Sequence, residues 1–286
     1  MKWENLEQSD NVEDLRSRGP ARSGGSLRSI LPIAQFLMKS KTGRVVLLIG
    51  VVAYFFGFNP LALLDQSSQP QQTAKSTTKE DKEARFVGAV LGQTEKVWSK
   101  LFAEHGLRYK DPKLVLFRGS VRSGCGYANA QTGPFYCPAD QKVYLDLGFF
   151  DELKRRFHAP GDFAEAYVIA HEIGHHVQNQ LGTLKKSHAL QARSSKKTAN
   201  KVQVRVELQA DCYAGVWAHY LDGILEDGDI QEALGAASAI GDDTLQKETQ
   251  GYVVPDSFTH GTSKQRASWF LRGYKTGKME ACNTGI

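Results

Sequence analysis

The chain has 286 residues, 41% hydrophobic and 23% charged, with 36 Lys and Arg against 31 Asp and Glu. That is room for one domain of roughly 200 residues with a real core plus extra segments, and so polar a composition excludes a polytopic membrane protein. The net charge of +5 is mild, with the basic excess mostly in the first 44 residues and around 185–201, and no basic stripe interleaved with aromatics speaks for nucleic-acid binding.

Residues 1–44 are polar, carry Gly19, Pro20, Gly24 and Gly25, and have no sustained apolar period, which predicts a disordered arm. Residues 45–58 (VVLLIGVVAYFFGF) are uncharged and almost wholly apolar, and Leu61 to Leu64 extend the run past Asn59-Pro60. Residues 45–64 match the length a helix needs to cross ~30 Å of hydrocarbon. A transmembrane anchor fits better than a cleaved signal peptide or a buried core helix. No small-x-small cleavage site follows, and the preceding arm is far longer than a charged n-region. Lys39, Lys41 and Arg44 precede the run and Asp65 follows it, so the positive-inside rule places the N-terminus in the cytoplasm and the bulk of the chain outside. Residues 65–82, rich in Gln, Ser, Thr and Lys, read as a linker.

A helix over 84–102 follows from the spacing of Phe86, Val87, Val90, Leu91, Val97, Trp98, Leu101 and Phe102, with Gly106 as its stop. Strands are expected at 114–121 and 142–147, separated by a Gly-rich, Cys-containing stretch. The strand at 143–147 reads either as an edge that takes up an extended peptide or as core. From 162 onward the pattern is helical, at 162–181, 201–223, 228–240 and 263–277, with a Lys/Ser-rich loop between the first two. The class is α+β, mainly helical with a small sheet, behind one transmembrane helix.

The four cysteines, Cys125, Cys137, Cys212 and Cys282, are an even number in a domain placed outside the cytoplasm, which suits two disulfides. Cys125 and Cys137 flank a Gly- and Pro-bearing stretch able to fold back, which favours that pair and leaves Cys212 with Cys282. Sequence alone permits three pairings. No C-x-x-C spacing suggests that they bind zinc.

The sharpest feature is His171-Glu172-Ile173-Gly174-His175 in a helical segment. Residues four apart on a helix lie one turn above each other, so both imidazoles can face one zinc ion, while Glu172 flanks that face as a general base. On the next predicted helix, Glu207 can complete a three-ligand site that leaves a fourth position open. Asp211, one turn on, can accept the free ring N–H of a ligand histidine. His176 points about 100° away around the helix and reads as structural or exposed.

An H-E-x-x-H helix followed by an E-x-x-x-D helix resembles the gluzincin branch of zinc metallopeptidases. Several runs are similar, more closely, to a bacterial family of neutral zinc metallopeptidases: Cys125-Gly126, Gly133-Pro-Phe-Tyr-Cys-Pro138, Val143-Tyr-Leu-Asp146, His171-Glu-Ile-Gly-His-His176, Glu207-Leu-Gln-Ala-Asp-Cys-Tyr-Ala-Gly215 and the stretch from Thr259-His260-Gly261-Thr262 to Arg266. The resemblance spans about 83–286. It implies a zincin-like catalytic domain with zinc on His171, His175 and Glu207, Asp211 behind them, and His260 as a candidate oxyanion stabiliser. It also implies an inner-membrane protein with a short cytoplasmic arm, one span and a periplasmic domain acting on peptide or protein substrates. Two rivals stand beside this: a non-hydrolytic membrane-tethered scaffold or chaperone that keeps zinc while binding peptides, and another zinc hydrolase such as a cell-wall amidase.

Overall fold

The computed structural model describes residues 1–18 and 77–286. Residues 1–16 and 76–286 form one compact unit. Helix α1 (Thr78–Glu104) opens with a capping box, in which Thr77 Oγ1 accepts from the Glu80 amide and the Glu80 carboxylate accepts from the Thr77 amide. Every apolar residue that defined its predicted face is buried, from Phe86 to Phe102, and each large one contributes about 1.5–3 kcal/mol.

Strands β1 (Val12–Asp14), β2 (Lys113–Phe117), β5 (Phe135–Cys137) and β6 (Lys142–Asp146) form a sheet of order β1-β2-β6-β5. The first three in that order run parallel and β5 is antiparallel at one edge. A separate hairpin pairs β3 (Ser120–Ser123) with β4 (Gly126–Asn129). The strand period of two sends Leu114, Leu116, Val143 and Leu145 into the main core. Val115, Phe117 and Tyr144 enter a smaller cluster with Val121 and Ala128 of the hairpin. With both faces covered, β2 and β6 are almost continuously buried.

Helices α2 (Gly148–Arg155), α3 (Asp162–Gln180), α4 (Thr183–Ala192), α5 (Lys196–His219), α6 (Asp229–Ala239), α7 (Asp242–Gln250) and α8 (Ser263–Thr276) complete the unit. Helix α5 packs against both α3 and α8. The expected pattern of mainly helix with a small sheet holds, and both favoured disulfides, Cys125–Cys137 and Cys212–Cys282, are formed.

Three expectations need correction. The arm expected to be disordered is ordered over residues 1–18. Met1 and Trp3 are buried in the main core, and Val12–Asp14 extends the sheet. Its apolar residues follow neither a helical nor a strand period, so only tertiary packing orders them. The linker expected at 65–82 gives way to helix from Thr78, through the capping box. The Lys/Ser-rich loop is helix α4, which buries Leu184 and Ser187, plus the exposed first turns of α5, where Lys, Ala and Gln carry good helix propensity without an apolar stripe. Of the two readings of the strand at 143–147, core holds, since β6 lies between β2 and β5. The expected anchor at 45–64 lies outside the described residues, as do 19–44 and 65–76. No helix among the described residues is long and apolar enough to cross a membrane.

Candidate metal centre

Helices α3 and α5 meet where Gly174 approaches Ala210. A Cβ at position 174 would lie 2.9 Å from the Ala210 carbonyl oxygen, so glycine is what lets the two ligand-bearing helices touch. Across that contact His171, His175 and Glu207 bring one ligand atom each within 4.8 Å of one another. His171 Nε2 lies 3.2 Å and His175 Nε2 3.4 Å from Glu207 Oε2. All three side chains are largely shielded from solvent.

Partners behind the ligands fix their orientation. His171 Nδ1 meets Asp211 Oδ1 at 2.8 Å and His175 Nδ1 meets Gln178 Oε1 at 2.9 Å. With those hydrogens donated backward, both Nε2 atoms face Glu207 Oε2, while Glu207 Oε1 accepts from Gln203 at 2.7 Å. The set is two imidazole nitrogens and one carboxylate oxygen with no fourth protein ligand among the described residues. This donor chemistry suits a catalytic zinc site.

Asp211 is wholly buried and carries more than the histidine. Arg266 of α8 donates to both its oxygens at 2.9 Å, and the Tyr167 hydroxyl donates to Oδ1 at 2.5 Å. Burial opposes its charge, yet Arg266 and His171 hold Asp211 at about 2. Burial likewise opposes charge on His171, but Asp211 and Glu207 outweigh it and push the imidazole up to about 10. His175 is raised, against burial, by Glu207. Against its own burial, the two imidazoles hold Glu207 well below the ordinary carboxylate range. Binding of a divalent cation at this cluster therefore releases protons from the imidazoles.

Glu172 behaves differently. It is buried, has no hydrogen-bond partner among the described residues, and lines the same cleft. Burial pushes its carboxyl above the usual range, against the pull of His175 and His171. The cleft has a volume of about 970 Å³ and also admits Phe135, Phe149, Phe157, Leu245 and His260 to its walls. Its β5 wall is an edge of the sheet among the described residues and is held to α3 by His176, whose ring bonds the Tyr136 hydroxyl at 3.0 Å and the Lys110 carbonyl at 2.7 Å.

His260 reaches the cleft from the loop before α8. Asp242 Oδ2 accepts the backbone N–H groups of Thr259, His260 and Gly261 at 2.7, 2.6 and 3.0 Å, and Oδ1 lies 3.2 Å from His260 Nδ1. Against burial, Asp242 and Glu207 raise the imidazole above its usual value.

The structure thus brings together His171, Glu172, His175, Glu207 and Asp211, with His260 on the same cleft. Cys212 turns away to its disulfide with Cys282. Sequence reasoning missed Gln178, Arg266, Tyr167 and Asp242 as parts of the site. The available signal for Arg266 was the buried Asp211, which needs a cation as well as a histidine.

Over residues 1–285 the sequence matches the family described as "putative neutral zinc metallopeptidase". The chain belongs to this family. It is 48% identical to the uncharacterized protein YpfJ of Escherichia coli strain K12 over 290 residues, covering 99% of this chain and 98% of that protein. It is 44% identical to the uncharacterized protein Rv2575 of Mycobacterium tuberculosis strain H37Rv over 211 residues, 69% of each chain. No solved structure matches significantly.

Proposed function

We propose that this protein is a zinc-dependent peptidase with a zincin-like catalytic domain that hydrolyses peptide bonds outside the cytoplasm. The observation that carries the reading is Glu172, a buried carboxyl without a partner among the described residues, beside a three-ligand cluster on the wall of a large cleft. His171, His175 and Glu207 would hold the ion. Zinc in such a site supplies Lewis acidity toward a carbonyl oxygen and makes water acidic near pH 7.

The chain's own residues do the rest. Glu172 takes the proton of the attacking water on its carboxylate and delivers it to the leaving amine, a role its raised pKa suits. His260, oriented by Asp242, offers a ring N–H to the oxyanion. The edge strand β5 gives an extended peptide backbone groups to pair with, and the aromatic walls take its side chains. Two disulfides support an oxidising compartment for the domain, and the apolar run 45–64 supports attachment to a membrane.

Metal analysis and cleavage of an unfolded protein test this on the full chain. Stoichiometric zinc is expected, lost with cleavage in His171→Ala and in Glu207→Ala. Glu172→Gln is expected to keep zinc and lose about 10²- to 10⁴-fold in rate. Cleavage by that variant at the parent rate would sink the assignment of the base. Zinc without any cleavage by the parent would instead favour the non-hydrolytic peptide-binding scaffold.

A further inference from the structure

The N-terminal arm is built into the domain along its length. Trp3 is buried with its ring 5.4 Å from Phe86 of α1, edge to face. The Lys2 amide donates to the Ile224 carbonyl at 2.8 Å, Ser9 to Gly88 at 3.0 Å and Leu15 to Leu116 at 2.8 Å. Ser9 Oγ and Asn11 Nδ2 both donate to Glu95 Oε1. Gly92 on α1 leaves room for the arm's backbone, because a Cβ there would lie 2.9 Å from the Glu7 carbonyl oxygen. Val12, Glu13 and Asp14 pair in register with Leu114, Val115 and Leu116.

The chain also returns to where it left. Arg16, at the end of the arm, is buried, and its guanidinium lies 3.3 Å from Asp81 in the first turn of α1. Arg16 and Asp81, which flank the stretch of sequence that holds the apolar run 45–64, are therefore neighbours on one folded unit. A bilayer cannot separate β1 from β2, since the unpaired backbone groups of both strands would have to enter hydrocarbon. A single crossing between the arm and the domain would have to break the β1–β2 pairing. Lys39, Lys41 and Arg44 report only on the end of the apolar run that they adjoin.

We propose that the N-terminal arm is a permanent strand and strap of the domain and stays on the domain's side of the membrane. This does not depend on peptidase activity.

The test is thiol labelling of the full-length protein in the inner membrane of a Gram-negative host. The four native cysteines are all paired, so Asn5→Cys on the arm or Asp222→Cys on the domain, both exposed positions, introduces a single reactive thiol. A membrane-impermeant maleimide is applied to spheroplasts before and after lysis. Both variants are expected to label before lysis, with no gain on lysis. Labelling of both only after lysis would keep the shared side and overturn the extracytoplasmic location instead. Labelling of the Asp222→Cys protein before lysis, with the Asn5→Cys protein labelled only after it, would overturn the proposal. Hydrogen exchange on the unmodified chain gives an independent reading. The Ser9 and Leu15 amides are expected to exchange on the order of 100-fold or more slower than unstructured peptide, and exchange at the unprotected rate would equally overturn it.

Discussion

The two sides of the metal cluster are built on opposite plans. Behind the ligands lie Asp211, at 0% exposure, Arg266, at 2%, and Gln178, at 0%, each polar group paired with another. At the rim His260 is half exposed, held through Nδ1 by Asp242, and its Nε2 has no partner among the described residues. Water cannot reach the back, so an unpaired charge there is costly and every partner's position is dictated by the next. The rim has no such constraint, and one carboxylate aims the imidazole while leaving its far nitrogen free for a substrate. The back can therefore serve geometry and the rim chemistry.

The largest effect should come from breaking the back. Arg266→Met leaves Asp211 buried with Tyr167 and His171 but no fixed cation, and should cost about 3–5 kcal/mol of stability, measured by denaturant unfolding of the metal-free protein. The sign of the pH dependence follows from the same pair. Asp211 is held down at about 2, so its contribution is complete above the ordinary aspartate value and is lost as pH falls toward 2. That acid-side slope should flatten in the variant. Stability unchanged by Arg266→Met would mean that the buried ion pair does not organise the site.

At the rim, His260→Ala should lower kcat by about 10²- to 10³-fold, the usual loss for one oxyanion donor. Stability should move by less than about 0.5 kcal/mol, because the side chain is half exposed. Zinc content should match the parent. If the variant instead lost zinc, His260 would belong with the ligands and the division between back and rim would fail.

Legibility in the sequence followed the same division by distance along the chain. His171 and His175 are one helical turn apart, as are Glu207 and Asp211, so spacing alone placed each pair on one face, and the two faces proved to meet at Gly174. Arg266 and Asp242 join the site from 55 residues beyond Asp211 and 18 before His260. No local period announces such contacts. Gln178 was closer, three residues after His175, but a glutamine on a helix normally faces water, and only the packing of α5 buries it. The arm was illegible for a related reason: Met1, Trp3, Leu6 and Val12 pack against the core along an irregular path, where pattern reading finds no period.

Gln178 gives the finest test, because its amide is locked from a distance. Its Nε2 donates to the Val206 carbonyl at 2.7 Å and to Gln209 Oε1 at 3.1 Å, which turns Oε1 toward His175. Gln209 in turn donates to the Cys282 carbonyl at 3.0 Å, beside the Cys212–Cys282 disulfide. Gln178→Leu keeps the bulk but removes the acceptor for His175 Nδ1–H, and should weaken zinc binding about 10-fold, read by competition with a chromogenic chelator. The zinc-saturated variant should keep the parent's kcat, since nothing at the rim has changed. A lowered kcat with normal zinc affinity would mean that the orientation of His175 acts on the reaction itself, and the back of the site would then share in the chemistry.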